Sequence, residues 1–147
     1  MLIATPSRWA LGYLAVLLLF TAGCGERVKL GRVSGKITYK GQPVPTGTIT
    51  FLPTSTGPPA SAGIRPDGTY TLETVDIGTG AVVGKHTVMI TALQDSPAVG
   101  AEERTPLPPP IIPVKYGNTS TSGLTADVQE GDNTIDFDLK DDKPTKK

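Results

Sequence analysis

The sequence predicts an all-β fold, a single two-sheet sandwich of about seven or eight short strands after an amino-terminal targeting segment. Three observations carry this. Beyond residue 30, apolar residues recur at every second position in short runs, which is the period of a half-buried strand. Glycine (17) and proline (14) are abundant and fall between those runs, where they turn the chain. Past the targeting segment no apolar residues keep helical spacing, and 147 residues with 5% aromatic content suit one domain with a modest core.

The elements follow in order. Val33, Gly35, Ile37 and Tyr39 alternate with Ser34, Lys36, Thr38 and Lys40, which gives one apolar and one wet face. Gly41 to Pro45 then reverse the chain, and Thr48 to Leu52 form a second strand with Ile49 and Phe51 inward, stopped by Pro53. Thr54 to Pro59 read as a loop, and Ala60, Ala62 and Ile64 as a short third strand. Pro66, Asp67 and Gly68 signal a turn, from which Tyr70 and Leu72 return. Asp76 to Gly84 are expected as a glycine-punctuated connection. His86, Val88, Ile90 and Ala92 give the clearest central strand. From Gln94 to Pro113 the pattern collapses into Pro, Ala and Glu, so a long exposed loop of polyproline character is expected. Order resumes at Val114 to Tyr116, and Gly117 to Gly123 is turn-rich. Leu124, Ala126 and Val128 form a strand, Gly131 to Asn133 a turn, and Ile135, Phe137 and Leu139 a last strand with Asp136, Asp138 and Lys140 facing water.

The amino terminus has the layout of a signal peptide: one positive charge at Arg8, an apolar run from Trp9 to Phe20, then small residues before Cys24. That run is roughly a dozen residues, short of the ~20 that a spanning helix needs. Thr21, Ala22, Gly23 and Cys24 resemble the bacterial lipobox, although Thr21 stands where Leu is commonest. The resemblance implies lipidation of the Cys24 thiol, cleavage before it and palmitate-type acylation of the new amino group. Two or three acyl chains would hold a domain firmly at a bilayer. An ordinary secretory signal that happens to contain a cysteine, or a short amino-terminal anchor, is the alternative. The expected organisation is a signal peptide over 1–23, a lipidated linker over 24–31, a sandwich over 32–140 and a charged disordered tail over 141–147. Gly25 takes the place where an Asp retains many lipoproteins at the inner membrane, so an exported, lipid-anchored protein is expected, at the outer membrane where the cell has one.

Val33 to Phe51 resemble the opening of carboxypeptidase regulatory-like domains, with a Val-x-Gly-x-Ile-Thr strand, Gly41-Gln42-Pro43-Val44 and a Thr-rich strand. Asp67-Gly68-Thr69-Tyr70 is similar to the family's Asp-Gly-x-Tyr turn, and Gly84 to Val88 to its Gly-x-Tyr strand, with His86 in place of the usual aromatic. The match covers roughly Arg32 to Ala92 and implies a transthyretin-like, Ig-like sandwich. These are fold motifs, so they imply little about activity.

No catalytic set emerges. His86 is the single histidine and sits in an apolar strand register, which points to a packed or edge-exposed side chain and away from a general base. Zinc needs three or four Cys or His ligands, and the chain has one of each. Asp132, Asp136 and Asp138 project toward water and read as solubilising carboxylates before they read as a cation site. Asn118, Thr119 and Ser120 read as a turn. Fourteen basic and 14 acidic residues cancel, without a basic stripe for nucleic acid. No enzyme, cofactor or metal is therefore expected. Two roles stay open: a membrane-tethered structural or interaction module with an envelope protein or glycan as partner, and a carrier or accessory subunit for a small ligand or glycan.

Overall fold

Ile49, Phe51, Val88 and Ile90 alternate with partly exposed neighbours, and β3 (Thr48–Pro53) and β9 (Gly84–Thr91) pair antiparallel through them. The computed structural model describes residues 28–94 and 109–141. Around this pair the order β10-β9-β3-β4-β6-β7 makes one wholly antiparallel sheet, with β4 at Ala60–Gly63, β6 at Glu73–Thr74, β7 at Gly78–Thr79 and β10 at Leu124–Val128.

The second sheet is built on β1 (Leu30–Tyr39). On one side it takes β2 (Gln42–Pro43), β5 (Thr69–Thr71) and β8 (Ala81–Val82), all antiparallel. On the other it takes β11 (Gly131–Thr134) and β12 (Phe137–Leu139), both parallel. Gly31 pairs with Gly131 and Tyr39 with Leu139, so one register holds along the whole length of β1. At Gly35 the crossing is tight: a Cβ there would lie 1.8 Å from the Ile135 carbonyl oxygen.

Phe51 joins the two sheets. Its ring lies 6.4 Å from Tyr70, 6.1 Å edge-on from Phe137 and 5.7 Å from His86. Val33, Ile37, Leu72 and Leu139 close the same core. Each such side chain contributes about 1.5–3 kcal/mol by leaving water. Tyr70 keeps its hydroxyl satisfied by donating to the Ile135 carbonyl at 2.6 Å, and its burial raises its pKa well above the phenolic range. Burial is the larger cause, with the Asp136 charge adding to it.

The all-β sandwich holds, as do the inward registers of the strands, but several boundaries differ from expectation. The described residues form twelve short strands because glycine and proline divide the runs. Strand β1 begins at Leu30, inside the expected 24–31 linker, because Leu30 and Gly31 pair with Val82 and Ala81. Asp76 to Gly84 hold β7 and β8, where a plain connection was expected. Gly131–Thr134 is a strand and no turn, since its backbone continues the ladder with β1. The Asp67 turn is as predicted: Asp67 accepts the Thr69 N–H and hydroxyl, at 3.0 and 2.7 Å. Gly68 takes the left-handed φ of 82° there, and a Cβ at this position would lie 2.7 Å from the Ile37 carbonyl oxygen.

Candidate functional site

The end of the expected Pro-rich loop returns to the sandwich and builds an apolar concavity there. Leu93 and Pro110 form a bridge, Gln94 N–H donates to Pro109 O, and Ile111 N–H donates to Ala92 O at 2.9 Å. This is an extension of β9 by a few residues, and it buries Ile112 in the core. The sequence reading of 94–113 as wholly exposed is therefore corrected at its last residues. The Ile111-Ile112 pair between prolines was the available signal, because two consecutive branched apolar residues in a solvated loop have no solvent-side reason to be there. The remainder, 95–108, lies outside the described residues.

Val114–Gly117 then makes a 3-10 turn and Thr119–Ser122 a single helical turn, α1. Asn118 caps α1 by accepting the Ser120 N–H at 2.9 Å, as the turn reading of this triplet predicts. Ser122 donates to Val88 O at 2.6 Å and pins α1 onto β9. The Tyr116 hydroxyl donates to Lys140 O and accepts from Lys140 N–H, both at 2.9 Å, tying this segment to the end of β12.

Between β9 and this segment runs a groove of about 500 Å³, walled by Ile90, Ala92, Leu93, Pro110, Ile112 and Val114. Leu93 and Val114 are exposed along it, Val114 to 76%. The only polar groups in its lining are the backbone, Thr91 and Asn118. Such a surface can hold an apolar side chain or a small apolar ligand, and it offers few polar groups to orient a reacting atom.

The other singled-out residues do not converge on it. His86 is 1% exposed, between β3 and β10, with its ring against Phe51. Its Nδ1–H donates to Gly84 O at 2.9 Å, while Nε2 is buried without a partner. Burial lowers its pKa, only partly opposed by Gly84 O and the Asp127 charge, so the imidazole is neutral and inaccessible to substrate. Asp132 pairs with Arg32 at 2.7 Å, Asp136 accepts Lys36 N–H at 2.7 Å, and Asp138 accepts the Thr38 hydroxyl at 3.2 Å. Each carboxylate thus serves its own residue of β1, and among the described residues no three His, Cys, Asp or Glu side chains are placed to share an ion. Thr21, Ala22, Gly23 and Cys24 lie outside the described residues, as do the signal segment 1–23 and the tail beyond Asp141. Among the described residues, no helix is long and apolar enough to cross a membrane.

The chain matches no family model and no curated protein. Among solved structures, a DUF3823 family protein from Parabacteroides merdae is similar at 13% identity and a TM-score of 0.41, over 77% of this chain and 47% of that one. The chain spans about half the length of that protein.

Proposed function

We propose that this protein is an envelope lipoprotein, anchored through Cys24 and carrying a non-catalytic carboxypeptidase regulatory-like sandwich that offers a binding surface. The anchor is supported by the signal layout and by Thr21-Ala22-Gly23-Cys24, and the domain type by the motifs in β1, β3 and the Asp67 turn. Gly25 favours the outer membrane. The observation that carries the binding role is the position of the groove. The described chain enters the sandwich at Leu30, whereas the segment that walls the groove from Val114 to Asn118 is fastened through Tyr116 to Lys140, next to the opposite end of β1. That strand is 10 residues long, roughly 30 Å, so a tethered domain turns the groove away from the bilayer. An envelope protein or glycan is the partner of this reading.

A second reading, a small-ligand carrier, is favoured by the groove's size, since ligand sites run to about 300–1,000 Å³. The two separate in one experiment on the acylated full chain and a Leu93→Asp, Val114→Asp variant. Affinity capture from membranes should enrich an envelope component with the wild type and lose it with the variant. A saturable thermal shift with a small apolar ligand, and no enriched component, would establish the carrier instead. Enrichment unchanged by the variant would refute the groove as the binding surface.

A further inference from the structure

Among the described residues, three of the five exposed large hydrophobic side chains, Val28, Val75 and Ile77, lie at the end of the sandwich opposite the groove. Val75 and Ile77 are 73% and 48% exposed on the turn between β6 and β7. Ile77 N–H donates to Thr74 O and closes this turn, and Asp76 adopts the left-handed φ of 60° that it requires. β7 lies against the start of β1, with the Leu30 side chain 4.0 Å from the Cβ position of Gly78. Val28 precedes Leu30 by two residues, so the apolar side chains gather where the chain enters the domain.

We propose that this end rests on lipid, with Val75 and Ile77 inserted into the interfacial layer of the bilayer; the inference rests on the anchored reading above. Chain length argues for the occupant. Cys24 precedes Val28 by four residues, which reach roughly 14 Å at most when extended, so the tether holds this end close to the headgroups. The other two exposed large hydrophobics, Leu93 and Val114, stand the length of β1 further off and stay in water. A short turn with two apolar tips is a shape that enters the interface without disturbing the strands behind it. Glu73 and Asp76 flank the tips, so the contact is stronger on zwitterionic than on anionic lipid.

Trp9 is the chain's single tryptophan, so a Trp9→Phe background makes an added tryptophan the only reporter. Full-length chains carrying Val75→Trp, Ile77→Trp or Val114→Trp are produced in a bacterial host, checked by intact mass and reconstituted into zwitterionic vesicles with acyl chains brominated near the headgroup. We expect acyl mass on each protein. Val75→Trp and Ile77→Trp should shift to the blue and lose about half their emission to bromine, while Val114→Trp stays unchanged. Acylated protein whose Val75→Trp and Ile77→Trp emission ignores bromine overturns the orientation and leaves the anchor standing. Unacylated chain still beginning at Met1 overturns both. A blue shift that grows with protein concentration and is independent of bromine assigns the surface to a second copy of the chain and likewise overturns the lipid contact.

Discussion

Acidification from pH 7.5 to 5.5 is expected to destabilise the sandwich through one side chain. His86 is the chain's single histidine, so within this window its titration stands apart from that of the other side chains. Packed against Phe51 and sealed from water, it is held neutral, and burial sets its pKa below the ordinary 6.5. The unfolded chain therefore takes up a proton near pH 6.5 that the folded chain refuses. Stability is full above that value and falls as the pH drops toward the folded-state pKa. The slope cannot exceed about 1.4 kcal/mol per pH unit, so the loss at pH 5.5 is at most roughly 1.4 kcal/mol, and Tm falls by at most about 5 °C for a domain of this size. Asp67 and Asp141, held below the usual range chiefly by the hydroxyls of Thr69 and Tyr39, lose their contributions only below pH 4. The assay is urea or thermal unfolding at half-unit steps between pH 5 and 7.5, on the wild type and on His86→Phe. Phenylalanine keeps a ring beside Phe51 and removes both the unpartnered Nε2 and the titration. Its stability should be flat where the wild type slopes. Equal slopes in the two proteins, or a wild type that gains stability on acidification, would refute the assignment.

Two further outcomes follow from packing. Gly35→Ala must push β1 away from the Ile135 carbonyl, 1.8 Å from the new Cβ, and should lose about 3 kcal/mol or more, whereas Gly63→Ala meets nothing within 4 Å and should stay within about 0.5 kcal/mol of wild type. Chemical denaturation reads both, and an equal effect at the two sites would sink the argument from contact. Ile112→Ala should cost about 2–4 kcal/mol, because the side chain is core and not loop, and amide exchange should quicken at Ile111, whose N–H is held by Ala92. A loss under about 0.5 kcal/mol, the scale of an exposed site, would return that segment to solvent.

What the sequence made legible is the inside of each strand. Period-two alternation marks Val33, Ile37, Ile49, Phe51, Val88, Ile90, Phe137 and Leu139, and all of them are buried, because parity alone decides which face a strand residue takes. Turn chemistry was equally readable at Asp67-Gly68 and at Asn118, where a short side chain bonds the backbone two residues ahead. Pairing was not readable. The parallel ladder of β1 with β11 and β12 joins residues 100 positions apart, and no local preference encodes it. It also turned Gly131-Asp132-Asn133, a turn by composition, into strand, since Asn133 supplies the turn's bonds from its side chain while the backbone stays in the ladder. Its Oδ1 accepts Gln129 N–H at 2.9 Å and its Nδ2 donates to Gln129 O at 2.8 Å. The groove was hidden for the same reason: Leu93, Pro110 and Val114 are exposed one at a time along the chain, and only the return of Ile111 and Ile112 to the sheet places them together.

The parallel ladder has a consequence for how an anchored sandwich is used. Had the last strand run antiparallel to the first, the chain would leave the domain at the end where it enters. Because β12 runs with β1, it leaves beside Tyr39 and Lys40, where Asp141 accepts from the Tyr39 hydroxyl and pairs with Lys40 at 3.0 Å. The groove is fastened to that same end through Tyr116 and Lys140. If Cys24 is the attachment point, both the groove and the exit of the charged tail therefore lie a full strand length from the lipid, and the apolar turn at Val75 and Ile77 lies beside it. The polarity follows from strand direction, with no hinge or linker needed to produce it. Coupling a thiol-reactive lipid to a cysteine placed at an exposed position beside Lys140, in a chain carrying Cys24→Ala, should then bury the groove against the bilayer and abolish partner capture, even though every residue of the binding surface is unchanged.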